Sequence, residues 1–127
     1  MGNFKKLLIA ILIVEDEPLI RMGVVSQLED AGFLIYEAGN ADEAICRLEE
    51  HAEIRLVITD INMPGSMDGL RLAHYARGRW PPVKIIVTSG QLRVRDKDLP
   101  AGAIFIGKPY HSEHITHKVR EMIAEAA

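Results

Sequence analysis

The sequence predicts an α/β fold, a three-layer, doubly wound sandwich with a five-stranded parallel sheet between two layers of helices. Three observations carry that expectation. Leu7 to Val14, Arg55 to Thr59 and Val83 to Thr88 are continuous apolar, β-branched-rich stretches, the pattern of strands buried on both faces, which parallel sheets require. Segments with helical spacing separate them, so strand and helix alternate five times and right-handed crossovers follow. At 127 residues, 48% hydrophobic and 26% charged, the chain suits one domain built around one core.

Taken in order, the first strand is expected within Leu7 to Val14. Lys5 and Lys6 before it imitate a secretory signal. The apolar run is only eight residues, however, and ends at Glu15-Asp16-Glu17 without a small-residue cleavage site, well short of the ~20 residues that span a bilayer. Gly2 begins a myristoylation pattern that fails at Lys6, where Ser or Thr is needed. The first helix runs from Pro18 to Ala31, with Leu19, Met22, Val25 and Leu28 as its apolar positions and Gly32 as its stop. Phe33 to Ala38 is a second, weaker strand. Asn40 caps Ala41 to Ala52, whose stripe is Ala44, Ile45 and Leu48; Glu43 follows three residues after the cap, close to a capping box.

After the third strand, a helix is expected from about Met67 to Arg77, with Leu70, Ala73 and His74 along one side. Beyond the fourth strand, Gln91 to Asp98 sets Leu92 and Val94 among charges, and a short or frayed helix is expected there. The turn Leu99-Pro100-Ala101-Gly102 leads into a fifth strand, Ala103 to Gly107. The last helix runs from about Ser112 to Ala126 with Ile115, Val119, Met122 and Ile123 as its apolar face.

The formal net charge of −3 argues against a nucleic-acid module, because phosphate contacts need a basic face. The single cysteine, Cys46, has no internal disulfide partner, which suits a reducing compartment, the cytoplasm.

In doubly wound sheets, ligands bind at the carboxyl ends of the strands. Those ends carry Glu15 and Asp16, Asp60, Ser89 and Lys108. Three neighbouring carboxylates repel one another, and a hard cation with oxygen ligands relieves the repulsion. Mg²⁺ fits a cluster this small, since it takes few protein ligands and bridges carboxylates to phosphate oxygens. Lys108 then supplies a point charge and Ser89 a hydroxyl for phosphoryl oxygens. Asp60, central among the strands, is the best-placed nucleophile, and aspartyl phosphates are a known covalent type. Each residue alone has a plain reading as a helix cap, turn or solvated lysine. Their coincidence in one chain is what points to chemistry.

Four motifs, Ile13-Val14-Glu15-Asp16-Glu17-Pro18, Thr59-Asp60-Ile61-Asn62-Met63-Pro64, Val87-Thr88-Ser89-Gly90 and Phe105-Ile106-Gly107-Lys108-Pro109-Tyr110, resemble the response-regulator receiver domain over nearly the whole chain. The resemblance implies the flavodoxin-like strand order 2-1-3-4-5 and Asp60 as phosphoacceptor. It implies Mg²⁺ held by Asp16 directly, Glu15 through water, Asp60, and the Asn62 backbone carbonyl. Ser89 would be the switch hydroxyl, preferred over Thr88 because small Gly90 follows it, and Lys108 the lysine that bonds the phosphoryl group. Phe105 would be either an aromatic switch acting by packing or a core strand residue. Asn62 and Gln91 are expected to tune dephosphorylation through their access to attacking water.

A histidine kinase or histidine phosphotransfer protein is the implied donor, and a downstream protein the implied target, with no direct nucleic acid or membrane partner. With no effector domain after Ala127, residues 1–127 are expected to form either a stand-alone regulator acting by protein contact or a phosphoryl shuttle or sink in a relay. The loop Met63-Pro64-Gly65-Ser66-Met67-Asp68-Gly69 is one residue longer than the family's common spacing, and the stretch from Ser89 to Lys108 is short.

Rival readings have less support from the residues. A haloacid-dehalogenase-like phosphatase needs a second acid where Asn62 stands, and a flavodoxin-type carrier needs Ser, Thr and Gly where Glu15-Asp16-Glu17 stand. A receiver-like module that binds without phosphorylation would not need the full set of reactive side chains. His111, His114 and His117 are spaced by three on the last helix, where, like His51 and His74, they lack partners to complete a metal site.

Overall fold

The computed structural model of the protein describes residues 8–91 and 94–125. Its elements are β1 (Ala10–Val14), α1 (Pro18–Asp30), β2 (Leu34–Ala38), α2 (Ala41–Glu50), β3 (Ile54–Asp60), α3 (Gly69–Arg79), β4 (Lys84–Ser89), a 3-10 turn (Asp96–Asp98), β5 (Ile104–Gly107) and α4 (Ser112–Glu125). All strand pairs are parallel, in the order β2-β1-β3-β4-β5, as expected.

Alternating residues of the central strands face two separate cores. Leu12, Val57, Ile85 and Val87 meet Ala44 and Leu48 of α2 and Leu72 and Ala76 of α3. On the other face Ile11, Ile13, Ile58 and Ile86 meet Val25 and Leu28 of α1 and Ile115 and Val119 of α4. Each fully buried aliphatic side chain contributes about 1.5–3 kcal/mol, so the apolar runs that revealed the strands also hold the layers together. The Asn40 cap forms: its side chain accepts from the Glu43 amide at 2.9 Å, while Glu43 Oε1 accepts from the Gly39 amide, one residue earlier than a strict capping box requires.

Several boundaries and faces differ from expectation. The structure begins β1 at Ala10, with Leu8 half exposed; Leu7 lies outside the described residues. On α1 only Val25 and Leu28 of the expected stripe are buried, whereas Leu19 is 83% and Met22 62% exposed. Steps of three fall about 60° short of a full turn, so Leu19 and Leu28, nine residues apart, lie on opposite sides of the helix. On α3 the buried positions are Gly69, Leu72, Ala73 and Ala76, and His74 is exposed. The helix starts two residues later than expected because Asp68 caps it, accepting from the Arg71 amide at 2.9 Å.

Among the described residues, the fourth crossover is a single 3-10 turn, Asp96–Asp98, so the short helix expected over Gln91 to Asp98 is confined to its end; Leu92 lies outside the described residues. That turn is fastened to α3. His74 Nε2 is 2.8 Å from the Asp98 carbonyl oxygen and Arg77 Nε donates to the Ala101 carbonyl at 2.9 Å. Arg77 Nη1 donates to the Val83 carbonyl at 2.8 Å and also to that of Pro81.

Candidate functional site

Parallel register brings the strand ends to one level. Val14 pairs with Thr59, Asp60 with Thr88, and Ser89 with Gly107. The residues just after or at these ends therefore share one rim. Backbone bonds extend it: Glu15 N donates to Ala38 O, Ile61 N to Thr88 O, and Lys108 N to Ser89 O.

Glu15 and Asp60 are buried, Asp60 at 6% exposure, and Asp16 is half-buried. Carboxylate oxygens of the three lie within 4.8 Å of one another, the one such cluster of acids, histidines or cysteines among the described residues. Lys108 Nζ donates to Glu15 Oε1 at 2.7 Å and stands 3.5 Å from Asp60 Oδ1. Asp60 Oδ1 has no hydrogen-bond partner. The second oxygen of Glu15 accepts from the Glu17 amide at 3.2 Å.

Electrostatics follow from that crowding. Burial raises the Glu15 carboxyl above its ordinary value, opposed by the hydrogen bond from Lys108. Burial likewise raises Asp60, with Lys108 opposing and the Asp16 charge reinforcing. For the Lys108 ammonium, burial works downward, but the Glu15 hydrogen bond and the charges of Glu15 and Asp60 outweigh it, so its pKa is raised. A buried oxygen without a hydrogen bond, in a trio of crowded acids, is an environment that a divalent cation satisfies, and Mg²⁺ fits this oxygen-only donor set.

The remaining sequence-selected residues separate by contact. Ser89 Oγ accepts from Asn62 Nδ2 and from the Gln91 amide, both at 3.2 Å. Ser89 thus faces the loop after Asp60, and strand alternation turns Thr88 to the other side. Gln91 reaches the cluster through its backbone. Phe105 is partly buried, packed against the α2/α3 core, and borders an open crevice with Val94, Asp96 and Gly107. Gly90 packs beside the lysine stem: a Cβ there would lie 3.5 Å from Lys108 Cβ, ordinary van der Waals contact, so alanine would fit as well.

Three contributors lie outside the sequence reading. Arg21 Nη1 donates to the Glu15 carbonyl at 2.7 Å while its Nε bonds Glu37 at 3.1 Å, holding the acidic turn; nothing in the sequence marks it. Gly69 N donates to the Ile61 carbonyl at 2.9 Å, and a Cβ on Gly69 would overlap the Asp60 carbonyl oxygen and come within 2.9 Å of Ile61 Cα. The Asp68-Gly69 pair was its sequence signal. Tyr110, beside the lysine, lines an open groove of about 610 Å³ with Leu19, Gly23, Val24, Gly90 and Ile115, and burial raises its phenol pKa.

Comparison with known proteins agrees with this geometry. The sequence model of the response regulator receiver domain matches residues 11–120. The response regulator receiver protein CpdR of Brucella abortus is 34% identical over 119 residues, covering 91% of this chain and 98% of that protein. The sensor kinase CckA of the same organism is 36% identical over 117 residues, and there the chain spans only 12% of the relative's length. A response regulator receiver protein from Sinorhizobium medicae superposes with a TM-score of 0.87 at 28% identity, covering 94% of this chain and 98% of that one. The solved receiver domain of hybrid histidine kinase CckA gives a TM-score of 0.77 at 30% identity, with 90% and 98% covered. No helix among the described residues is long and apolar enough to cross a membrane. Motifs, strand order and superposition together make the chain a member of the response regulator receiver domain family, the phosphoacceptor modules of two-component systems.

Proposed function

We propose that Asp60 is the phosphoacceptor of this receiver and takes its phosphoryl group from a phosphohistidine on a kinase or phosphotransfer protein. The observation that carries the proposal is Asp60 Oδ1: buried, without a hydrogen-bond partner, and 3.5 Å from the Lys108 ammonium. In the transfer an Asp60 carboxylate oxygen forms the new bond to phosphorus, the bond from phosphorus to the imidazole nitrogen breaks, and the nitrogen keeps the electron pair. Lys108 neutralises charge on the phosphoryl oxygens, and Ser89 supplies a hydroxyl to them.

Asp16, Asp60 and the Asn62 carbonyl are suited to hold Mg²⁺, with Glu15 reached through water. When bound, the ion neutralises charge on the carboxylates and on the transferring group. The adduct replaces the single carboxylate charge with nearly two on the phosphoryl group, a net gain of about one, which draws Lys108 from Glu15 and Ser89 inward. Phe105 follows by packing, since its neighbouring crevice leaves space, and output passes by contact with a downstream protein in the cytoplasm. Asn62 and Gln91 set how easily water reaches the adduct; exchanging them should change the phosphoryl lifetime.

The groove lined by Leu19, Val24 and Tyr110 shares Gly90 and Lys108 with the site. It therefore suits the apolar face of the donor that presents the phosphohistidine. Intact mass after incubation with a small phosphodonor tests the assignment. One phosphoryl group should be gained with Mg²⁺, none with chelator and none in Asp60→Asn. No gain from any donor, a cognate kinase included, would instead favour a binding module that works without phosphorylation.

A further inference from the structure

The opposite end of the sheet carries a feature that phosphoryl transfer does not use. Arg55, Arg77 and Lys84 line one open pocket of about 590 Å³ together with Pro81, Pro82 and Gly102. No carboxylate lines it, in a chain whose net charge is −3. Neither Arg55 nor Lys84 enters an ion pair with another described residue.

Local structure explains why these cations converge. The β1–β3 ladder pairs Ala10 with Ile54 but Ile11 with Leu56, so Arg55 is the extra residue of a bulge and is turned out to solvent. Lys84, which pairs with Leu56, opens β4 beside it. Arg77 is aimed by the three carbonyls it bonds, those of Pro81, Val83 and Ala101, and those bonds leave its charge uncancelled. Gly102, at φ +79°, turns the chain at the rim. Like charges gathered without a counterion raise each other's free energy, and a bound anion relieves this. Arginine in particular presents a planar fork that matches phosphate oxygens.

We propose that this pocket is a binding site for a small polyanion carrying two phosphate groups, separate from the acidic site at the other end of β3. Five residue steps along the strand from Arg55 to Asp60 put the two about 17 Å apart. No aromatic ring lines the pocket, so recognition is of phosphate rather than of a stacked base. A ligand held by Arg55, Lys84 and Arg77 would bridge the starts of β3 and β4 to the turn before β5.

The test is titration of the whole protein, in metal-free buffer, with inorganic pyrophosphate in one arm and fructose 1,6-bisphosphate in the other, followed by amide NMR shifts. Saturable one-to-one binding in either arm is expected, with shifts around Arg55, Lys84 and Gly102. The stronger arm identifies whether inorganic or organic phosphate is the source. Arg55→Gln/Lys84→Gln, two exposed or half-exposed side chains outside the core, should weaken binding at least tenfold, while Lys108→Gln should leave it unchanged. Shifts that fail to saturate in both arms, or binding that survives the double substitution, would overturn the proposal.

Discussion

The Lys108 ammonium is bonded to Glu15 Oε1 at 2.7 Å, while Asp60 Oδ1 stands 3.5 Å from the same nitrogen without a hydrogen bond. The lysine is thus hydrogen-bonded to Glu15 rather than to the proposed acceptor, Asp60. Lys108→Ala removes a charge-assisted bond to a buried carboxylate and leaves that carboxylate unpaired, which costs roughly 1–3 kcal/mol. Denaturant unfolding in metal-free buffer should show that loss, and phosphorylation by a small donor should slow at least tenfold.

Asp60→Asn replaces a buried carboxylate, one oxygen of which lacks a hydrogen bond, with a neutral amide. Without Mg²⁺ this variant should be more stable than the parent by roughly 1 kcal/mol, because the repulsion within the acidic trio is relieved. Thermal melts check it, and the gain should shrink when Mg²⁺ is added.

The same crowding fixes a pH dependence. The Glu15 and Asp60 pKa values are raised above their ordinary 4.5 and 3.8 by burial, so the folded state binds more protons than the unfolded one between the ordinary and raised values. Stability in metal-free buffer therefore falls as pH rises through that interval. Acidifying toward the ordinary carboxylate range should narrow the stability difference between the parent and Asp60→Asn, as melts at stepped pH would show.

Gly69→Ala should be damaging, because its Cβ would overlap the Asp60 carbonyl oxygen. Overpacking against backbone costs typically about 1–3 kcal/mol, and phosphorylation should slow as the acceptor shifts. Gly78→Ala, in the same helix with nothing within 4 Å of its added Cβ, should instead stabilise by up to ~1 kcal/mol. Paired unfolding curves separate the two.

Leu19→Ser changes a groove-lining side chain that is 83% exposed, so the unfolding free energy should stay within about 0.5 kcal/mol. Transfer from a phosphohistidine protein should nonetheless slow, while transfer from a small donor stays at the parental rate. Equal rates with the protein donor would remove the groove from the docking face.

Strand positions were legible because continuous apolar runs have one good home, the middle of a covered parallel sheet, whereas their order 2-1-3-4-5 followed only from the resemblance to the receiver family. The acids and lysine could be named because register levels the strand ends, so adjacency in space follows from sequence position alone. Helix faces were harder. Leu19 and Met22 read as core because a three-residue step looks helical over one turn, yet it drifts half-way around over nine residues. His74 read as part of a stripe, whereas it bonds the Asp98 carbonyl from an exposed position, a contact between segments 24 residues apart that no local pattern encodes. Arg21 and the Gly69 contact are likewise set by how elements dock. The fourth crossover has few apolar residues among its charges, and its described residues form only the 3-10 turn Asp96–Asp98.

α3 touches the Asp60 backbone at its first residue and grips the fourth crossover through His74 and Arg77 further along. Eleven residues of helix make a stiff strut about 16 Å long. Mechanically, the loop after Asp60 and the crossover are two ends of one lever. Neither can be displaced alone without shearing the Gly69 contact at one end or the His74 and Arg77 fastenings at the other.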